Sequence, residues 1–274
     1  MQHAVAKSRP AKALAALVGA GAAAVAWGWF EAGWVRLRRL ELPIPGLPPE
    51  LDGLRIVHLS DFHLGVPSRG VAAVRQAVAW TVARGPDLVV LTGDLVSRQP
   101  GEPVLRELVG RLPNAYAILG NHDLAISRDP FSRQVELRDL EPATLLSDDG
   151  RLVELRGRRI WIAGFDPRSR GVEPDLSRAA DLRLLLTHFP NAFDRIEPDS
   201  FDLVLSGHMH DGQICVPLPG GKLRLAHPRE RYTCGVYRRG RMTMHVSPGL
   251  GTTFLPFRFF ARPEATELVL QSPR

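Results

Sequence analysis

Asp61-Phe62-His63, Gly93-Asp94, Gly120-Asn121-His122-Asp123, His188 and Gly207-His208-Met209-His210 are the groups in this sequence whose types and order could do chemistry. They offer carboxylate, imidazole and amide oxygen but no thiolate, a set that suits Mn, Fe or Zn better than a soft metal. Asp61 and His63 stand two apart, as do His208 and His210, and an extended backbone points such pairs the same way. The candidate ligands Asp61, His63, Asp94, Asn121, His188, His208 and His210 are too many for one tetrahedral ion, since structural zinc takes about four. Two ions sharing a carboxylate absorb them, and ions roughly 3.5–4 Å apart are the usual device for in-line phosphoryl displacement. Singly the motifs are weak: Asp-x-His arises by chance, Gly-Asp after a strand is commonly a turn, and a lone histidine is commonly a core residue. The ordered set is specific.

These residues share one placement. Apolar runs at 54–59, 87–91, 115–119, 182–186 and 201–205 read as strands that end at Asp61, Asp94, Asn121, His188 and His208; another, 159–163, ends at Gly164-Phe165-Asp166. Helical spacing predicts helices over 71–83, stopped by Gly85-Pro86, and over 102–112, entered through Pro103. Alternating strands and helices imply βαβ units with a parallel sheet. The Gly/Pro-punctuated stretch 215–270 implies a second, more antiparallel sheet packed on the first. In open α/β sheets ligands bind beyond the carboxyl ends of the strands. Carboxylates gathered at one rim repel, and a cation removes that cost.

With 45% hydrophobic and 23% charged residues, the 274-residue chain has an ordinary globular balance, which excludes a disordered protein. A net charge of +6 favours anionic partners such as phosphates or acidic lipid surfaces. Nearly all of it is arginine, however, and no dense basic run marks a nucleic-acid surface. No nucleic-acid or protein partner is indicated. Cys215 and Cys234 form no CxxC pattern, and whether they pair depends on the compartment.

A basic N-terminal segment, 1–12, carries Lys7, Arg9 and Lys12; a charge-free stretch then runs to Phe30. Trp27, Trp29 and Trp34 follow its apolar part, then Arg36, Arg38 and Arg39. Membrane helices take roughly 20 apolar residues, and tryptophan beside arginine resembles an interfacial belt. Residues 13–35 therefore read as a retained single-pass anchor at the cell membrane. Ala24-Val25-Ala26 keeps a cleaved signal peptide, and so export, open. Three basic residues flank each side, so charge does not orient the segment. The proline-rich stretch 36–52 reads as a stiff linker into a domain at 53–274.

Over residues 61–210 the motifs resemble, in order, the calcineurin-like metallophosphoesterase superfamily. The anchor, Ser60-Asp61-Phe62-His63-Leu64-Gly65, Gly212-Gln213-Ile214 and Val246-Ser247-Pro248-Gly249-Leu250-Gly251 resemble its bacterial, membrane-associated branch, which includes phosphodiesterases and UDP-diacylglucosamine pyrophosphatases. The resemblance implies an αββα sandwich of two packed mixed β-sheets flanked by helices, with an N-terminal membrane helix. It implies two divalent ions, with Mn favoured over Fe or Zn. Asp61, His63 and His210 would hold one, Asn121, His188 and His208 the other, and Asp94 would bridge them. His122 would face the substrate phosphate and Asp123 would orient His122, as supporting carboxylates do.

The implied reaction is in-line attack by metal-activated hydroxide on a phosphodiester or pyrophosphate. His122 would stabilise charge or act as general acid. The implied substrate is a phosphate ester, phospholipid-like or nucleotide-linked. A soluble cyclic nucleotide is the alternative, and a non-catalytic metal-binding scaffold a third reading. Many relatives carry a second Asp three residues after the bridging one; Ser97 stands there in this chain, which leaves that position's hydrogen bonds open.

His58 shares parity with Ser60 rather than Asp61 and reads as a core histidine. His227 and His245 match no ligand motif and read as structural. Asp211 reads as a support for His210 or a turn residue. Phe254-Leu255-Pro256-Phe257-Arg258-Phe259-Phe260 reads as a buried terminal strand, with a lipid-facing surface as the functional alternative.

Overall fold

A computed structural model describes residues 8–130, 132, 137–169 and 179–273. Residues 1–7 of the expected basic segment lie outside the described residues.

Helix α1 (Ser8–Glu31) is exposed along most of its length, and its Ala11–Glu31 stretch is long and apolar enough to cross a membrane. It stops short of 35, because Arg36 already belongs to a strand. β1 (Arg36–Pro43) runs parallel to β14 (Glu264–Gln271), with Leu42 opposite Leu270. The expected linker at 36–52 is thus part of the domain: Leu42, Ile44, Leu47 and Leu51 are buried. Its prolines end the strand and shape a turn, which an edge position tolerates.

β2 (Arg55–Leu59), β3 (Leu88–Thr92), β4 (Ala115–Ile118) and β5 (Thr144–Leu145) complete a six-stranded sheet in the order β1-β14-β2-β3-β4-β5. Its β14–β2 pair is antiparallel and the others are parallel. α2 (Gly70–Arg84) and α3 (Glu102–Val109) are the crossovers. α2 ends where Gly85 takes φ 54° and donates to the carbonyls of Thr81 and Val82, a left-handed cap suited to glycine. α3 ends at Gly110, a turn earlier than its apolar spacing allowed.

The second sheet contains β6 (Asp149–Leu155), β7 (Arg158–Gly164), β8 (Leu182–Thr187) and β9 (Leu203–Ser206). A hairpin of β10 (Cys215–Leu218) and β11 (Gly221–Arg224) stands apart. β12 (Gly235–Arg239) and β13 (Met242–Val246) return to the second sheet, ordered β12-β13-β9-β8-β7-β6. Its centre is parallel, with one antiparallel strand at each edge. It is more antiparallel than the first sheet, but only at those edges.

Strand alternation sorts the core. Val57, Leu59, Val89 and Leu91 meet α2 and α3, whereas Ile56, Val90 and Leu268 meet Ile162, Leu184 and Leu205 of the second sheet. Each such buried side chain stabilises the sandwich by roughly 1.5–3 kcal/mol. Outside the second sheet, Leu185, Val204 and Met244 pack with Phe193, which lies in a short 3-10 turn, Pro190–Asp194. His58 points between the sheets, where its Nδ1 lies 2.9 Å from Nδ1 of His245.

Candidate metal centre

β2, β3 and β4 of one sheet and β8 and β9 of the other end at a common rim. There the backbone leaves extended geometry. Asp61 (φ 53°), His63 (47°), Asp94 (53°), His208 (74°) and His210 (49°) are all left-handed, a conformation Asp and His enter more readily than most residues. The expectation that an extended chain aims Asp61 and His63 together is therefore corrected. Turning loops bring them in, laced by Asp61 N to Gly93 O and His63 N to Asp94 O, each 2.9 Å. Two glycines make room: a Cβ on Gly120 would overlap the Asp94 carboxylate, and one on Gly207 would overlap Ser60 and Asp61.

The side chains gather in three groups, two of them separate and the third, His63, Asp94 and His122, sharing a residue with each. Asp61, His63 and His210 form one of the separate two, with His63 Nε2 3.0 Å from His210 Nε2 and Asp61 Oδ1 3.5 Å from His210 Nε2. Asp94, His188 and His208 form the other, with His188 Nε2 3.1 Å from His208 Nδ1 and 3.0 Å from Asn121 Oδ1. Asp94 Oδ2 lies 3.7 Å from His63 Nε2 and 3.3 Å from His188 Nε2, between the two. His122 stands on the same carboxylate at 3.9 Å. All seven expected ligands and His122 thus meet in one place.

The donor set fits cations. His188 Nδ1 donates to Thr92 O at 2.8 Å, so a neutral ring turns its Nε2 lone pair toward Asn121 Oδ1, His208 Nδ1 and Asp94. A cation among them would satisfy these acceptors together. Burial opposes a charged His188, yet Asp94 outweighs it and raises the imidazole to about 9. A divalent ion replaces that proton with more charge on neutral imidazole. Burial drives His208 down to about 3, with His188 adding to the shift. For Asp61, burial favours the neutral acid, but His210 and His188 hold the carboxyl well below its usual range.

The supports differ from expectation at Asp123. Its Oδ1 accepts from the amides of Leu95 and Val96 and its Oδ2 from Gly120, each at 2.8 Å. It ties the two loops together, and none of these bonds goes to the His122 ring. Burial, with Asp94 adding, nevertheless raises it to about 7. The His122 ring is held by serines: Nε2 by Ser127 at 2.9 Å, and Nδ1 by Ser132 at 3.1 Å and Ser97 at 3.2 Å. Ser97 also holds His63 Nδ1 at 2.8 Å, which fills the position that the sequence left open.

Arg258 is a support that sequence reasoning missed. Fully buried, it donates to the carbonyls of Pro248, Gly251 and Ala261 and lies 3.2 Å from His210 Nδ1. Its one signal was a lone arginine within an apolar run. That run is a loop and not a buried strand: Phe254, Leu255 and Phe260 are exposed. Asp211 binds Lys222, Arg224 and the Cys234 thiol, which pins the β10–β11 hairpin beside His210. Cys215 and Cys234 form no disulfide. His227 is half-buried, its ring 6.4 Å from that of His208.

Residues 54–212 match the family described as calcineurin-like phosphoesterase. The chain is 33% identical over 261 residues to "Transmembrane protein with metallophosphoesterase domain" of Danio rerio, covering 85% of this chain and 56% of that protein; it spans little more than half of that relative's length. It is 27% identical over 252 residues to "Phosphodiesterase YaeI" of Escherichia coli, covering 88% of this chain and 90% of that one. It is 26% identical over 309 residues to "UDP-2,3-diacylglucosamine pyrophosphatase LpxG" of Chlamydia muridarum, covering 87% and 91%.

Proposed function

This chain belongs to the calcineurin-like phosphoesterase family, and we propose that it is a membrane-anchored, dinuclear metal-dependent phosphodiesterase or pyrophosphatase. The observation that carries this is the Asp94 carboxylate, set between His63 and His188 with a histidine pair on either side. Asp61, His63 and His210 would hold one divalent ion, Asn121, His188 and His208 the second, and Asp94 both. The oxygen and imidazole donors suit Mn, Fe or Zn, and the family resemblance favours Mn among them. When bound, two such ions supply positive charge and a water of lowered pKa.

The chain's own residues do the rest. His122, lowered by burial and so neutral near pH 7, can donate a hydrogen bond to a phosphoryl or leaving-group oxygen. The three serines around its ring restrict its rotation. Gly120 and Gly207 let the loops close on the carboxylates. α1 supports confinement to a bilayer, which favours a lipid-linked phosphate ester over a soluble nucleotide.

The test is metal analysis of the purified full chain, with a hydrolysis screen in Mn over bis-aryl phosphates, cyclic nucleotides and UDP-diacylglucosamine. Two ions per chain and cleavage of a diester or pyrophosphate are expected. Preference for cyclic nucleotides would move the reading to a soluble substrate. Absence of both metal and turnover would make the chain a scaffold.

A further inference from the structure

The end of α1 is locked to the loop 253–261. Gly28 O accepts the amide of Arg258 at 3.0 Å, and the Phe259 ring packs where a Cβ of Gly28 would stand. Trp29 meets Phe257 with ring centroids 6.4 Å apart. Buried Glu31 accepts from Ala261 N at 2.8 Å and from Trp27 Nε1 at 2.9 Å. The apolar helix therefore leaves the domain in a fixed direction.

Around this junction Trp27, Trp29, Phe30, Phe254, Leu255 and Phe260 are each 40–52% exposed. So many large apolar groups in one place mark a surface that meets something apolar. The loop is built to present them. Phe254 and Phe260 sit at φ 57° and 51°, a conformation bulky residues rarely adopt. Gln213 holds the carbonyls of Thr253 and Leu255 at 2.8 and 3.0 Å, and Asp129 holds Phe254 N at 3.0 Å.

Beside the rim lies a cavity of about 320 Å³ lined in part by Arg36, Arg38, Lys222 and Arg262. Its acids are already engaged. Glu264 faces Arg36 and Arg38, Asp211 faces Lys222 and Arg224, and Glu31 takes the two donors named above. Arg262 stacks 3.6 Å over Trp34. Arginine and tryptophan at the foot of an apolar helix suit the headgroup layer, where basic groups attract anionic lipid.

We propose that the foot of α1 and the loop 253–261 together form a docking face for an anionic lipid bilayer, with Phe254, Leu255 and Phe260 inserted where the helix enters. This rests on the membrane reading of α1 given above. The face adjoins the metal centre, because Arg258 of the same loop reaches His210 and Asp129 belongs to the segment whose Ser127 reaches His122. Docking therefore presents the centre to phosphates at the membrane surface.

The experiment uses the full chain reconstituted in phosphatidylcholine vesicles, with and without phosphatidylglycerol. A Phe254→p-benzoylphenylalanine variant is irradiated and its adducts are read by mass spectrometry. The control is the same substitution at exposed Leu152, on edge strand β6 far across the second sheet from β12. Metal content equal to that of the unaltered chain verifies the fold. The expected result is a lipid adduct at 254 severalfold above that at 152, rising with phosphatidylglycerol. Equal yields at the two positions, or adducts to a second copy of the chain, would overturn the proposal; no response to phosphatidylglycerol would overturn its anionic preference. Carbonate extraction of the same vesicles reads the anchor separately, so loss of the chain there counts against the anchor and not against the loop.

Discussion

Arg258 Nη2 lies 3.2 Å from His210 Nδ1, so a loop late in the chain braces a candidate metal ligand from behind. Arg258→Met leaves three buried carbonyls without their donor. The expected cost is roughly 3–9 kcal/mol, at about 1–3 kcal/mol for each unsatisfied group. Thermal unfolding measures it. Arg258→Lys restores the charge but not the planar fork, and is expected to recover only part of the loss.

Ser97 holds both His63 and His122. Ser97→Ala is expected to weaken Mn binding roughly 10–100-fold, as loss of a ligand's supporting partner does, and to cost about 1–3 kcal/mol of stability because buried His63 Nδ1 loses its partner. Calorimetric titration of the metal-stripped protein reads this directly. Unchanged affinity would make Ser97 a bystander.

His122→Ala is expected to lower turnover roughly 10²–10⁴-fold with both metals retained. Asp94→Ala is expected to lose both. Metal analysis beside kinetics distinguishes these outcomes, and metal loss from the His122 variant would sink its placement outside the ligand shell. Asp123→Ala should behave differently again, since it strands three buried amides. Lower stability is expected there along with lower turnover.

Gly120→Ala and Gly207→Ala are predicted to be severe despite adding one methyl group. Each new Cβ would fall on a carboxylate of the centre, Asp94 or Asp61. Metal content should drop in both, whereas Gly221→Ala, at a site with open space around it and no left-handed φ, should keep its metal.

The buried pair His58 and His245 predicts an acid limb of stability. Burial depresses both rings; His245 falls to about 3, and His58, with His245 adding to the effect, is also held well below its ordinary 6.5. The unfolded chain takes up these protons first as pH falls. Stability is therefore complete above pH 6.5 and declines below it, by about 1.4 kcal/mol per pH unit for each ring that stays neutral. His245→Phe should flatten the decline, measured as unfolding temperature from about pH 7 to pH 5. An unchanged slope would place the acid sensitivity elsewhere.

The strand-end positions of Asp61, Asp94, Asn121, His188 and His208 were legible because apolar runs and the polar residues that stop them are local features. The central strands, the helix at Gly70–Arg84 and the α/β class were legible for the same reason. The strand Arg36–Pro43 was not, since its partner lies 228 residues later, Arg36 facing Glu264, and its prolines imitate a linker. The left-handed turns at Asp61 and His63, the three amides that claim Asp123, and the reach of Arg258 to His210 likewise depend on contacts between distant segments. The sequence by itself determined which side chains stand at the strand ends, because each is set by its own apolar run. Only the tertiary structure decided what supports them, because a hydrogen bond between loops far apart in the chain leaves no periodic mark in either.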